Sequence, residues 1–310
     1  MALSKYDIKI DLARQRETSH GMLVDMVGCN KRVLDVGCDT GYLGETLNAF
    51  GNETQGFELA NEPAAEARNK LIRVEVGDLE ATNLVDIYGR ESFDVVVFGD
   101  VLEHLRDPLS VLRQARPLLV RGGSVLISTP NIAHGDVRLA LLSGRFRYNK
   151  LGILDETHTR FFTRDTLVEF LHDAGFVLAD LRRTRAPLFT TEIGVVESDY
   201  DPAVVEALRH DDEATTYQFV VRAVPDDATT LETSQMIELD GTRARLTRTE
   251  ELLNEAREEC AELRNQIRAL DARISELILA HDAAIEERDR AMSQQVRLTR
   301  LQRAVGRFSR

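Results

Sequence analysis

The sequence predicts a doubly wound α/β domain on a mostly parallel sheet, followed by a long C-terminal coiled-coil helix. Two patterns carry this expectation. Between residues 31 and 225, short apolar runs rich in Val and Ile alternate with helix-like segments, the signature of βαβ units. From Leu253 the apolar positions step by three and four, and neither Gly nor Pro occurs from Thr242 to Val305.

The elements follow in order. Residues 1–30 read as an N-terminal lid or helical segment that includes Thr18-Ser19-His20-Gly21. Strands are expected at KRVLDVG, TQGFEL, LIRVEV, FDVVVFGD, GGSVLIS and TYQFVVRAV, within a domain spanning 31–225. The run PDDATT, with its proline and acidic turn formers, opens a linker over 226–240. The coil covers 241–305, with Leu253, Ala256, Cys260, Leu263, Ile267, Leu270, Ile274 and Leu277 in its seam. Ile and Leu in that seam suit a parallel homodimer. The register weakens where His281, Arg288 and Gln295 occupy seam positions, and one long surface helix is the alternative.

A chain of 310 residues holds one sizeable domain plus such an appendage. Its net charge of −13 argues against nucleic acid as a partner. No run of eighteen apolar residues is present, and the charged start lacks the apolar core of a signal peptide, so a cytoplasmic location is expected. Cys29, Cys38 and Cys260 are too far apart for a disulfide framework or a metal clip. The end, through 306–310, is basic: Arg297, Arg300, Arg303, Arg307 and Arg310 alternate with apolar residues. That is either a solvated helix end or a weak recruiting element for the inner membrane face or a glycan-making assembly.

The chemistry-bearing residues begin with LDVGCDTG, a strand running into a glycine-rich turn and then a helix. Glycines allow the backbone to turn tightly against a ligand. The dinucleotide fingerprint wants glycine at position 39, where Asp39 stands, so a nicotinamide dehydrogenase is disfavoured. Acids recur at the carboxyl ends of successive expected strands. Glu58 is placed to accept ribose hydroxyls, Asp78 to receive an exocyclic amine, and Asp100 follows Gly99. A second constellation joins Asp100, Glu103, His104 and the later His158, groups that could hold a divalent metal or supply a general base. Glu103 can also be read as an N-cap or first-turn acid of a helix beginning near Leu105, and His104 as a packed, hydrogen-bonded histidine at the same turn.

LDVGCDTG, FEL, GDLE, FDVVVFGDVLEHLRDP, RGGSVLISTPN and THTRFFTRDTLVEFLHDAGF, as an ordered series, resemble class I S-adenosylmethionine-dependent methyltransferases. The likeness covers roughly residues 19–224 and lies closest to the ubiquinone-biosynthesis O-methyltransferase-like branch associated with bacterial cell-surface glycan clusters. The resemblance implies a Rossmann-like, seven-stranded sheet whose last strand is antiparallel, with S-adenosylmethionine as cofactor. It implies that Asp35, Gly37, Cys38 and Gly41 hold the methionine portion. Glu58, with Leu59 beside it, would hold the ribose, Asp78 with Leu79 the adenine, and Gly99 with Asp100 the sulfonium end. Similar acid-x-x-Glu-His clusters in that branch bind metal, which makes Mg²⁺ at Asp100, Glu103, His104 and His158 an expectation.

Methyl transfer to oxygen of a small molecule or a glycan sugar is the expected reaction. His104 and His158, with Glu103, are the catalytic candidates, and His20 is a further possible base. Residues 130–162, with Arg145, Phe146, Arg147, Tyr148 and Arg160, would form the acceptor wall. The family pattern has a small residue where Asp39 stands. That departure motivates the rival reading, an inactive domain serving as the head of a coiled-coil scaffold.

Overall fold

The computed structural model describes residues 16–227 together with Gln266, Arg273, Arg288 and Met292. The chain forms two compact units, Met1–Gly241 and Thr242–Arg310. In the second unit the four described residues are helical and exposed. The coiled coil, its pairing and the basic tail otherwise fall outside the described residues.

The first unit is built on a seven-stranded sheet. In chain order the strands are β1 (Arg32–Val36), β2 (Glu53–Glu58), β3 (Arg73–Val76), β4 (Phe93–Gly99), β5 (Leu119–Pro130), β6 (Phe176–Arg185) and β7 (Thr216–Pro225). Their spatial order is β3-β2-β1-β4-β5-β7-β6. Strands β1 to β5 are parallel, while β7 runs antiparallel to both β5 and β6.

The central strands read as unbroken apolar runs because both faces are covered. Val33, Val95, Val97 and Leu126 pack on one face beneath α1 (Ser19–Val27) and α2 (Tyr42–Asn48). Leu34, Val36, Val96, Phe98 and Ile127 point to the other, toward α5 (Pro108–Leu118) and α7 (Arg164–Asp173). β6 escaped sequence analysis because it is an edge strand: its residues are mostly half-buried and include Asp180, Arg182 and Arg183.

Three devices position the site. The chain leaves β1 outward through α2, β2, α3 (Asn61–Ala67), β3 and α4 (Leu84–Tyr88), then returns to β4 beside β1. The resulting switch point opens a crevice at the carboxyl ends of β1 and β4. Gly44 lets α2 approach the sheet, since a Cβ there would lie 2.4 Å from Leu71 Cδ2 and 2.9 Å from Thr54 Cγ2. Asn131 pins the long connection after β5: its side-chain amide donates to the carbonyls of Glu213 and Thr216, and its oxygen accepts from Ala133 N–H.

That connection carries α6 (Gly135–Leu142) and then returns to the sheet through a bridge between Asn131 and Phe162. Helix α8 (Pro202–Arg209) lies between β6 and β7 in sequence. Among the described residues no helix is long and apolar enough to cross a membrane.

Candidate functional site

The glycine-rich turn after β1 is shaped by contacts that leave little freedom. Gly37 has φ +75°, and a Cβ on it would lie 2.6 Å from Val101 Cγ2. The amides of Gly37 and Cys38 both donate to Phe57 O, at 2.8 and 3.1 Å. Cys38 is buried, and burial pushes its thiol pKa up, so it packs beneath the turn as a neutral group.

Glu58, at the end of β2, accepts from Asp39 N–H at 3.0 Å and from Ala60 N–H at 2.9 Å. It therefore ties the turn to the next connection. Asp39 adopts φ +47°, a left-handed conformation that Asp tolerates better than most residues.

Asp35 is buried, and its Oδ2 has no hydrogen-bond partner. Burial, then the charges of Glu58 and Asp39, raise its pKa from 3.8 to about 7. An orphaned buried carboxylate oxygen ringed by acids is matched to a cationic group, and the ammonium of a methionine moiety fits it. Asp78 is exposed, with Oδ1 accepting from Glu80 N–H, while Leu79 is buried in the core behind it. Leu59 is exposed at the rim.

The end of β4 is locked by groups that sequence reasoning missed. Asp100 has φ +55°. Its N–H donates to Ser128 Oγ at 3.0 Å, and its Oδ1 accepts from Ser128 Oγ at 2.7 Å and from Gln218 Nε2 at 3.0 Å. Ser128 sits on β5 and Gln218 on β7, so only the antiparallel register of those strands unites them. His20, on α1, meets the same corner through Tyr42: Nε2 lies 2.8 Å from the phenol oxygen.

The acid–histidine constellation forms with one change of membership. Glu103, His104 and His158 each offer a ligand atom within 4.8 Å of the others. Asp100, engaged by Ser128 and Gln218, is not part of that group. Glu103 and His104 belong to a 3-10 turn, Leu102–His104, and α5 begins only at Pro108 with Asp107 as its cap. The reading of Glu103 as a first-turn acid of a helix from Leu105 is thus corrected; the intervening backbone is extended at Leu105.

His158 reaches this turn because the amides of Thr159 and Arg160 both donate to Glu103 O. The Glu103 carboxyl is buried with both oxygens unpartnered, and burial, then the Asp100 charge, raise its pKa well above the usual carboxylate range. Burial and the neighbouring His158 lower the pKa of His104, keeping it neutral. Its ring meets that of His158 edge-on at 4.8 Å.

His158 Nδ1 lies 3.1 Å from Ile153 O, an obligate acceptor, so Nε2 carries its lone pair. An unpartnered buried carboxylate beside two imidazoles is a donor set that fits a divalent cation. Two nitrogens suit Zn²⁺ better than the Mg²⁺ expected from sequence, which prefers oxygen.

From this group a ladder of rings leads outward. Phe161 lies 6.3 Å from His158, Phe146 lies 6.3 Å from Phe161, and Tyr148 lies 5.4 Å from Phe146. Phe146 and Tyr148 are exposed, and Arg147 stands between them in sequence.

The family described as "Methyltransferase domain" matches residues 17–181. "Ubiquinone biosynthesis O-methyltransferase" of Paraburkholderia phymatum is 30% identical over 186 residues, 58% of this chain and 79% of that protein. The protein of the same description from Ruegeria pomeroyi is 32% identical over 151 residues, 48% of this chain and 61% of its own length. A crystal structure of a SAM-dependent methyltransferase from Archaeoglobus fulgidus is 19% identical with a TM-score of 0.48, covering 68% of this chain and 91% of that one.

Proposed function

The chain belongs to the methyltransferase-domain family and is an S-adenosylmethionine-dependent methyltransferase, and from that premise we propose that it methylates an oxygen of a small molecule or of a glycan sugar. The observation that carries the choice of oxygen is the Glu103-His104-His158 group, whose first two members follow Asp100 by three and four residues just past the end of β4. A hydroxyl is a weak nucleophile that has to lose a proton as it attacks, so it gains most from a general base beside it. The glycan rests on likeness to a branch of the family, and the O-methyltransferase names of the relatives support oxygen.

In this reading Asp35 receives the methionine ammonium, Gly37, Cys38 and Gly41 leave room for the methionine chain, and Glu58 and Leu59 border the ribose. Asp78 and Leu79 flank the adenine, and Gly99 with Asp100 lines the sulfonium end. In-line attack then needs mainly alignment, to which the locked β4 end contributes.

The neutral His104 accepts the acceptor hydroxyl proton as the O–C bond forms and the C–S bond breaks. The product thioether is uncharged, and His104, being partly exposed, returns the proton to water. Where a divalent cation is bound, Glu103, His104 and His158 would hold it, and it would make the acceptor hydroxyl more acidic. Residues 241–305 are proposed to pair two copies of the chain.

Calorimetric titration with S-adenosylmethionine and S-adenosylhomocysteine, with and without Zn²⁺, Mn²⁺ or Mg²⁺, tests the reading. Micromolar binding of both is expected, and cation-dependent acceptor turnover would assign the three-residue group. Absence of binding under every condition would sink the proposal and return the scaffold reading, with Asp39 the residue to exchange for glycine.

A further inference from the structure

His104 can serve as a proton acceptor or as a metal ligand only if one ring nitrogen keeps its lone pair toward Glu103 and His158. For His158 a backbone carbonyl at Nδ1 settles this. For His104 the partner at Nδ1 is the Thr157 hydroxyl, at 3.0 Å. A hydroxyl both donates and accepts, so by itself it selects neither tautomer.

The same hydroxyl lies 2.6 Å from Asp155 Oδ1, and the Thr157 amide donates to that oxygen at 2.8 Å. Asp155 is buried at 3% exposure, and its own amide is bonded to Gly152 O. A carboxylate can only accept, so the single hydroxyl proton of Thr157 is committed to Asp155. What remains on Thr157 Oγ is a lone pair, which requires a proton on His104 Nδ1.

We propose that Asp155 and Thr157 are positioning residues that hold His104 in the Nδ1–H tautomer, leaving the ring's lone pair on Nε2. The inference deepens the reading of His104 given above and holds whether that nitrogen takes a proton or binds a cation. It also gives a purpose to the turn at 155–158: the bridge between Asn149 and Asp155 closes a loop that delivers Asp155, Thr157 and His158 together. Partners of this kind orient the imidazoles of known metal and acid–base sites, and their removal costs roughly 10–100-fold in affinity or activity.

The test is long-range ¹H–¹⁵N correlation on ¹⁵N-histidine-labelled full-length protein, with the seven histidines assigned by single His→Gln variants. His104 is expected to show a protonated Nδ1 and an unprotonated Nε2 in the wild type. Thr157→Val should mix the tautomers and weaken binding of Zn²⁺, used alone as probe, by roughly 10–100-fold, and Thr157→Ser should restore both. A wild-type spectrum with the proton on Nε2 would overturn the inference, as would a Thr157→Val protein with unchanged tautomer and zinc affinity. Titrating the same sample with S-adenosylmethionine separates the two ideas: failure to bind cofactor strikes the methyl-transfer reading and leaves the tautomer result standing.

Discussion

Replacing Asp35 by Asn should make the cofactor-free protein more stable at alkaline pH and no more stable in acid. The folded-state pKa of Asp35 is about 7 against an ordinary 3.8. Between those values the native state holds a proton that the unfolded state has lost, so native stability falls as pH rises from about 4 to 7 and is flat above. At about 1.36 kcal/mol per pH unit, the gap corresponds to ~4 kcal/mol at most.

Urea unfolding at pH 5, 6, 7 and 8, without cofactor, reads this directly. Protonated Asp and Asn are of similar size and both uncharged, so the two proteins match only near pH 4 and below, and at pH 5 the variant should already lead by about 1.6 kcal/mol. By pH 8 the variant should lead by up to ~4 kcal/mol. With S-adenosylmethionine present the order should shift, because the ammonium favours ionised Asp35 and binding near pH 6.5 should release a proton. A difference between variant and wild type that is the same at every pH would refute the assignment of a buried, proton-holding carboxyl at the methionine end.

Other outcomes follow from the same geometry. Glu58→Ala should weaken cofactor binding by roughly 1–3 kcal/mol, read by calorimetry. Glu58→Gln, which keeps one acceptor oxygen for the turn amides, should weaken it less, and unchanged affinity in both would remove Glu58 from the site. Asn131→Ala strips three backbone groups, Glu213 O, Thr216 O and Ala133 N–H, of their side-chain partner and should cost about 2–3 kcal/mol of stability, measured by denaturant unfolding. Glu103→Gln removes a carboxyl that resists ionisation, so the variant should lose less stability than wild type as pH rises while losing Zn²⁺ binding. Truncation after Pro225 should turn a dimer into a folded monomer by light scattering; a dimer that persists would move the interface into the α/β unit.

Much of the fold was legible in the chain because its causes are local. Unbroken apolar runs mark strands covered on both faces, and Gly37 and Gly41 mark a turn of positive φ. The acids at strand ends were legible for the same reason: each lies at a position defined by its own strand. Edge strand β6 was not, because pairing on one side leaves half of each residue in water and erases the apolar signal. The Asp155-x-Thr157 pair carried a local hint, an acid two residues before a hydroxyl as in an Asx turn, but nothing in it pointed to His104.

By itself the sequence determined six of the seven strands in their order, the glycine turn after β1 and the candidate acids and histidines, all properties of spacing within one or two elements. Tertiary structure alone decided which candidates meet. Asp100 stays outside the Glu103-His104-His158 group, its carboxylate bonded to Ser128 and Gln218, 28 and 118 residues distant in the chain. His158 was brought to His104 by two amides donating to Glu103 O. Those choices depend on strand register and loop closure, which bring distant residues together through packing and hydrogen bonds that no short stretch of sequence contains.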